Sequence, residues 1–133
     1  MKVFNGKYHL IYTFDWLYQR YKYSKIKVPW KSGLTDGHAL LFLLIRYDYF
    51  GDEKYKKAVD ALYLSVISSI EKRESLNILN DSYLWIEEYV GPKTNPKYLP
   101  YVFNGMIYAY KRVGTYELYL NTSQNIINID KIF

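Results

Sequence analysis

The chain has 133 residues, a formal net charge of +5 and a hydrophobic content of 50%. These values predict one globular domain over residues 1–133 with a modest core, and they exclude a disordered chain. The excess of 18 Lys and Arg over 13 Asp and Glu attracts anionic partners: nucleic acid, anionic lipid or acidic polysaccharide. Because the lysines are scattered, without the dense runs typical of nucleic-acid binding, no nucleic-acid partner is expected.

Several classes of site and location are also disfavoured by the composition. The chain has no cysteine, which excludes disulfides and thiolate metal sites and is compatible with a reducing cytoplasm. With two histidines there are too few good ligands for a transition metal, and His38 is interpreted as structural. The longest apolar run, residues 39–45, falls short of the ~20 residues of a membrane span. No apolar signal-peptide core opens the chain, so cytoplasmic is the default expectation.

Aromatic residues are unusually frequent, and 17 of them are tyrosines. Tyrosine buries apolar area and keeps a hydroxyl for hydrogen bonding, which suits both wet cores and carbohydrate surfaces. Near the N-terminus the aromatic residues recur with a period of two. This period predicts extended strand or packed loop over residues 1–31, with a short helix over residues 15–23 as the alternative. The aromatic residues on even positions are Tyr8, Tyr12, Phe14, Trp16 and Tyr18.

The strongest helix is predicted over residues 32–50. Ser32 or Thr35 supplies the N-cap hydroxyl, and Asp36 places a negative charge in the first turn. The predicted buried face consists of apolar residues spaced by three and four, with one aromatic neighbour: Leu40, Leu41, Leu44, Ile45 and Tyr47.

Gly51 and Asp52 predict a helical hairpin. Gly51 suits the left-handed position that ends a helix, and Asp52 suits the N-cap of a second helix. The core-facing residues of this second helix step by three and four along the chain: Tyr55, Val59, Leu62, Val66 and Ile70.

The second half of the chain is predicted to form an extended insert and a third helix. Residues 78–89 read as two short strands around a tight turn at Asn80-Asp81, and three prolines make residues 92–100 a loop. The third helix covers residues 101–113, with Gly114 as its C-cap. Asn104-Gly105 alone favours a hairpin turn, but the surrounding apolar residues share one helical face: Val102, Met106, Ala109 and Val113.

Glu87 and Glu88 lie between Trp85 and Tyr89, a mixture of acid and aromatic residues that is typical of sugar-handling sites. In an extended segment the two carboxylates point to opposite faces, so at most one of them faces a given site. One interpretation is a solvated carboxylate beside one that pairs with a lysine. The other is an acidic and aromatic face formed by Trp85, Glu87 and Tyr89, for which ordinary packing is the competing explanation.

Four segments, in order over residues 10–113, resemble the C-terminal helical domain of the D-glucuronyl C5-epimerases. Their patterns in that family include Pro-Trp-x-Ser-Gly-x-x-Gln-Gly, a helix-hairpin turn, Trp-Tyr-Glu-Glu-Tyr and Val-Leu-Asn-Gly-Phe-Ile-Tyr. The resemblance implies a mainly α fold, a partial α/α toroid of helical hairpins with a short extended or β-hairpin insert. The matching segments are Pro29-Trp30-Lys31-Ser32-Gly33, Gly51-Asp52-Glu53-Lys54-Tyr55, Trp85-Ile86-Glu87-Glu88-Tyr89 and Val102-Phe103-Asn104-Gly105-Met106-Ile107-Tyr108.

The resemblance also implies a reaction, the inversion of C5 in a hexuronate unit of an acidic, glycosaminoglycan-like polysaccharide, without a cofactor. Inversion requires a base on one face of C5, an acid on the other, and stabilisation of a carbanion-like intermediate. Tyrosine serves in such a role when its site lowers a pKa of ~10. By the resemblance, Tyr89 is the proton-transfer residue, and Glu87 or Glu88 orients it. The substrate-lining residues implied are Trp30, Trp85 and Asn104.

Some features depart from the family pattern. Asp36 stands where the family has glutamine, and Ile86 where it has tyrosine. The tail after Leu120 does not match the downstream segment that carries further active-site tyrosine and arginine residues, which predicts a truncated chain that is incomplete alone. The alternative is a non-catalytic protein that binds an acidic glycan, or one that completes a toroid with a partner chain. In that case an exposed apolar helix face predicts self-association.

Overall fold

The structure is a computed structural model that describes residues 2–4, 7–17, 25–68, 76–79, 82–91 and 101–120. Three helices pack together and are accompanied by small two-stranded sheets, so the predicted mainly helical fold with a β-hairpin insert is confirmed. The elements are β1 (Lys2–Phe4), β2 (Lys7–His9), β3 (Ile11–Tyr12), β4 (Trp16–Leu17), β5 (Lys25–Ile26), β6 (Trp30–Lys31), α1 (Gly33–Phe50), α2 (Glu53–Val66), β7 (Leu76–Leu79), β8 (Tyr83–Ile86) and α3 (Phe103–Leu120).

The N-terminal region is extended, as its period of two predicts. Strands β1 and β2 pair with each other, β3 pairs with β6, and β4 pairs with β5, all antiparallel. The β3–β6 pair places Tyr12 opposite Trp30, immediately before α1 begins. The alternative prediction was a short helix over residues 15–23. Trp16 and Leu17 are strand residues instead, and positions 18–24 lie outside the described residues.

The helical hairpin of α1 and α2 is confirmed at both of its capping residues. Ser32 is the N-cap of α1, and its hydroxyl accepts the N–H of Thr35 at 3.3 Å. Gly51 ends α1 with φ 64°, a left-handed conformation that glycine adopts without steric cost. The Asp52 side chain then accepts the N–H of Lys54 at 2.9 Å and begins α2.

The buried face of α1 differs from the predicted stripe. Leu40 and Leu44 are buried as expected, but Ile45 is 54% exposed, so its prediction is wrong. The reason is the close packing of α1 against α3 at Gly37, where an added Cβ would lie 2.9 Å from the Cα of Ala109. This contact turns the glycine edge of α1 inward and leaves the side bearing Ile45 outside.

The core lies between the three helices and the β7–β8 hairpin. Val59, Leu62 and Val66 of α2 contribute to it as predicted, while Ile70 lies outside the described residues. The fully or nearly buried members are Leu40, Leu44, Val59, Leu62, Tyr63, Val66, Leu76, Ile86, Ala109, Val113 and Tyr116.

The predicted pair of short strands is confirmed as the antiparallel β7–β8 hairpin, with Leu79 opposite Tyr83. The tight turn predicted at Asn80-Asp81 and the loop predicted over residues 92–100 lie outside the described residues. None of the helices in the described ranges carries an apolar stretch that could span a bilayer.

Helix α3 is longer than predicted. It includes Asn104-Gly105 in its first turn, so the helical interpretation of that pair is confirmed, but it continues through Gly114 to Leu120, so the predicted end is wrong. A glycine inside a helix costs about 1 kcal/mol. Contacts with α2 beyond Gly114 offset this cost: the Tyr116 hydroxyl donates to Asp60 at 2.6 Å, and Tyr63 donates to Glu117 at 2.6 Å.

Candidate functional site

The segments around Trp30 and Tyr89 lie side by side and are joined by backbone hydrogen bonds. Lys31 and Val90 exchange two of them, with N···O distances of 2.8 Å and 3.0 Å. The N–H of Gly33, in the first turn of α1, donates to the carbonyl oxygens of Glu87 at 3.2 Å and Glu88 at 3.1 Å. Because the first N–H groups of a helix have no acceptor within it, these carbonyls complete the start of α1.

Gly33 permits this close approach because it has no side chain. A Cβ at this position would collide with the carbonyl oxygen of Glu87 and lie 2.9 Å from Cγ2 of Ile86. Both groups belong to the buried backbone and core, so they cannot move aside easily. The glycine of the Pro-Trp-x-Ser-Gly segment is therefore a packing requirement of the Glu-Glu-Tyr segment.

Glu88 connects the same segment to α3. Its side chain is 6% exposed and lies against Gly105, where an added Cβ would overlap the carboxyl group. A negative charge at the start of a helix is favourable, because the helix dipole and the unbonded N–H groups are positive there. Oε2 of Glu88 has no hydrogen-bond partner among the described residues.

Three of the four segments that carry the family resemblance therefore meet in space. Gly33, the Glu87-Glu88 backbone and Gly105 come from distant parts of the sequence and contact one another directly or through one residue. The fourth, Gly51-Asp52, lies at the opposite end of α1, about 27 Å away for a helix of 18 residues. It shapes the hairpin and does not contribute to this site.

Glu87 is fully buried, and its environment perturbs its acidity. Burial raises the pKa of its carboxyl from 4.5 to about 7, while the hydrogen bond from Asn77 and the nearby Trp85 side chain act in the opposite direction. Nδ2 of Asn77 lies 3.4 Å from Oε1, and Oε2 makes no hydrogen bond among the described residues. This carboxyl therefore gains or loses its proton near neutral pH.

The two carboxylates have different neighbours, but neither is solvated. Glu87 faces Asn77 of β7, and Glu88 faces the first turn of α3. The interpretation of one solvated carboxylate is therefore wrong. The N–H of Gly33 binds the carbonyl oxygens of Glu87 and Glu88, and this contact holds both residues against the start of α1.

Tyr89 is half-buried and contacts Trp30, with their ring centroids 5.8 Å apart. Trp30 is 4% exposed and stacks on Tyr12 at 4.0 Å, while its indole N–H donates to the carbonyl oxygen of Phe14 at 2.7 Å. Trp30 thus holds Tyr89 in place from one side, and little of its own surface is open to a ligand.

Trp85 and Asn104 lie on the other side of the segment, near the start of α3. The half-buried Trp85 ring lies 5.7 Å from that of Tyr101 and 6.4 Å from that of Phe103, and Asn104 is exposed. Strand β8 ends at Ile86, so the regular alternation from which a face of Trp85, Glu87 and Tyr89 was predicted does not extend to Tyr89.

A buried polar cluster of His9, Lys31 and Asp36 was missed by the sequence interpretation. Nδ1 of His9 lies 3.2 Å from Oδ2 of Asp36, and Nζ of Lys31 lies 3.2 Å from Nε2 of His9. All three are at most 4% exposed. A neutral imidazole satisfies this arrangement by donating to the carboxylate and accepting from the ammonium.

This cluster fastens the N-terminal strands to the beginning of α1. The N–H of Leu10 also donates to Oδ1 of Asp36, at 3.2 Å. From sequence, Asp36 was interpreted as a charge for the helix dipole and Lys31 as one of several scattered lysines. The available signal was the departure of Asp36 from the family's glutamine, since a carboxylate in that place needs a new polar partner.

No group of three or more His, Cys, Asp or Glu side chains among the described residues is arranged to hold a metal ion.

Comparison with known proteins identifies one family. The model of the D-glucuronyl C5-epimerase C-terminus matches residues 6–130. An uncharacterized protein of Methanocaldococcus jannaschii is 29% identical over 110 residues, which cover 80% of this chain and 33% of the relative. A D-glucuronyl C5-epimerase of Caenorhabditis elegans is 33% identical over 97 residues, covering 71% of this chain and 14% of the relative. No solved structure matches significantly.

Proposed function

The chain belongs to the D-glucuronyl C5-epimerase family, through the C-terminal part of these proteins, and we propose that it acts on hexuronate units of an acidic polysaccharide. The proposed reaction removes the proton at C5 and returns one there. In this proposal α1, α2 and α3 form part of an α/α toroid. The chain spans only 33% and 14% of the lengths of the two relatives.

Tyr89 is the proposed proton-transfer residue. Its phenolic oxygen, when deprotonated, takes the C5 proton, and the electron pair left on C5 is delocalised into the neighbouring uronate carboxylate. Trp30 positions the tyrosine ring through their 5.8 Å contact. A second donor on the opposite face of the sugar is needed for inversion, whereas exchange of the C5 proton with solvent needs only Tyr89.

The start of α3 is occupied by the Glu88 carboxyl, and the neighbouring Asn104 is the proposed contact for the polysaccharide. The first intrahelical bond runs from the N–H of Met106 to the carbonyl of Val102, so the preceding N–H groups have no acceptor within the helix. These groups favour the negative charge of Glu88, and the exposed Asn104 amide offers a hydrogen-bond donor and an acceptor to the polysaccharide. Glu88, already against Gly105, and Glu87 hold the segment in place, so they act as positioning residues.

The observation that carries the proposal is the convergence of three separate sequence segments on Glu87 and Glu88, the two residues immediately before Tyr89. The Gly33 N–H binds the carbonyls of Glu87 and Glu88, and Glu88 packs on Gly105, which fixes the residue that follows. Sites of this kind need rigid support, since catalytic groups are effective only when held close to the productive geometry.

Deuterium exchange tests the proposal directly. We expect the full chain in heavy water to incorporate deuterium at C5 of a glucuronate-containing polymer, as seen by NMR of the recovered sugar. Heated protein serves as the control for uncatalysed exchange. Failure to exceed that control, under conditions where a full-length family member exchanges, would exclude autonomous catalysis.

A second candidate function is favoured by an apolar stripe on the outer side of α1. Phe42, Ile45 and Tyr49 are 59%, 54% and 80% exposed and recur at the three-to-four spacing of one helix face. In this alternative the chain binds an acidic glycan without turnover, and a second copy covers the stripe.

Sedimentation velocity distinguishes this alternative. Self-association through the stripe predicts a dimer at tens of micromolar protein and a monomer for the Ile45→Glu variant, because a charge at the centre of an apolar contact is costly to bury. Lys57→Glu, on the exposed surface of α2, is the matched control and should leave the dimer unchanged. A compact monomer for the unmodified chain contradicts the alternative.

A further inference from the structure

We propose that Phe14, Trp16, Lys25 and Lys27 form an additional glycan subsite, which binds sugar units of the acidic polysaccharide beyond the unit at Tyr89. The inference rests on the proposed function for the identity of the ligand. Its starting point is the run of aromatic residues on even positions near the N-terminus, which the Tyr89 site uses only in part.

Phe14 and Trp16 present aromatic surface to solvent. They are 50% and 42% exposed, and their ring centroids lie 6.3 Å apart with an interplanar angle of 73°. Their backbone is held on both sides: the indole N–H of Trp30 donates to the Phe14 carbonyl at 2.7 Å, and Trp16 pairs with Ile26 in the β4–β5 sheet. Aromatic rings held in this way lose little conformational entropy when a ligand stacks on them.

The same surface carries a net positive charge. Lys25 and Lys27 are both about half exposed, and Nζ of each lies near Oδ2 of Asp15, at 3.2 Å and 2.8 Å. Hydrogen bonding from Lys27 lowers the pKa of the Asp15 carboxyl to about 2, so it stays ionised at neutral pH. Two ammonium groups against one carboxylate leave one positive charge to attract an anion.

The surface lies close to the candidate catalytic residue, with the buried Trp30 between them. The Trp30 ring lies 5.7 Å from that of Phe14 and 5.8 Å from that of Tyr89, so aromatic contacts connect Trp16 to Tyr89 in three steps of about 6 Å. A polymer of several sugars bound at Tyr89 can therefore reach Phe14 and Trp16.

An acidic glycan fits this combination better than nucleic acid does. The ring faces match the apolar C–H face of a pyranose. Among the described residues, the one excess positive charge of Lys25 and Lys27 over Asp15 matches a polymer with one carboxylate in every second sugar. Single-stranded nucleic acid also stacks on aromatic rings, but it carries a phosphate at every nucleotide and is bound by strongly basic grooves.

Direct binding tests the subsite separately from catalysis. We expect calorimetric titration of the full chain with a hyaluronan decasaccharide, in which glucuronate alternates with N-acetylglucosamine, to give measurable binding at low salt. Trp16→Ala should weaken the affinity roughly fivefold or more, the loss expected when a stacking ring is removed. Trp16→Phe should recover most of it, and Tyr119→Ala, which removes an exposed aromatic ring of α3, should change nothing.

Charge and polymer class are tested in the same assay. Replacing Lys25 and Lys27 by glutamine should reduce the salt dependence of hyaluronan binding, whereas Lys57→Gln should not. A neutral glucose oligomer should bind more weakly than hyaluronan. If oligothymidylate binds more tightly than hyaluronan and this binding is lost in Trp16→Ala, the surface is assigned to nucleic acid and the proposal is overturned.

The two proposals fail in different ways. Tyr89→Phe should retain hyaluronan affinity whether or not the chain catalyses exchange. Binding that depends on Trp16 without any deuterium exchange supports the subsite and contradicts catalysis. Exchange whose KM is unchanged by Trp16→Ala supports catalysis and contradicts the subsite. An unmodified chain that binds no hyaluronan also contradicts the subsite. A Trp16→Ala variant that alters only sedimentation assigns the surface to protein contacts and also overturns it.

Discussion

Replacing Tyr89 with phenylalanine is expected to slow deuterium exchange at C5 by ~10²–10⁴-fold, the usual contribution of a positioned acid or base. The substitution removes the phenolic oxygen that carries the proton and keeps the ring that contacts Trp30 at 5.8 Å. The loss should therefore appear in kcat, with KM changed little, because the substrate still meets the same surface. Steady-state exchange rates followed by NMR measure both constants.

The matched control is Tyr83→Phe on β8. Tyr83 lies six positions before Tyr89 in the same segment and is 48% exposed. Its hydroxyl has no role in the proposed reaction, so its exchange rate should stay within twofold of the unmodified chain. Equal exchange rates for Tyr89→Phe and Tyr83→Phe would remove Tyr89 from the mechanism. If Tyr89→Phe lowers the free energy of unfolding by more than about 1 kcal/mol, its hydroxyl has a structural role.

The parts of the fold that sequence predicts well are those determined by neighbouring residues. Gly51 and Asp52 define the hairpin because the left-handed glycine and the capping carboxylate act within one turn of their own helices. The β7–β8 pair also joins near neighbours in the chain. Local chemistry is enough in both places.

The errors arise where distant residues decide the outcome. Gly114 would end α3 on local grounds, but Tyr116 and Glu117 reach Asp60 and Tyr63, more than 50 positions away. Ile45 has the spacing of a buried residue, but the contact of Gly37 with α3 sets the orientation of α1.

The candidate site shows the same division. Its residue types were evident from sequence, since Glu87, Glu88 and Tyr89 stand together. Their burial was not, because it depends on two glycines, Gly33 and Gly105, whose importance lies in the side chain they lack. A glycine that permits a long-range contact carries no periodic signal, so a single sequence gives no warning of it.

The pH dependence of stability is expected to reveal Glu87. Its pKa is raised from 4.5 to about 7 by burial, so between these values the folded chain holds a proton that the unfolded chain has released. The free energy of unfolding therefore falls as pH rises through this window, and above it the ionised, buried carboxylate destabilises the fold. At 1.36 kcal/mol per pKa unit, the full change amounts to ~3 kcal/mol.

Glu87→Gln should remove this part of the pH dependence. An amide keeps the shape of the protonated carboxyl and has no charge to bury, so the variant and the unmodified chain should have similar stability near pH 4.5. At pH 8 the variant should be more stable by ~3 kcal/mol. Urea unfolding at both pH values measures the difference, and Glu53→Gln, an exposed carboxylate of α2, should leave the curve unchanged. Parallel curves for Glu87→Gln and the unmodified chain would show that the carboxyl is not desolvated in the folded protein.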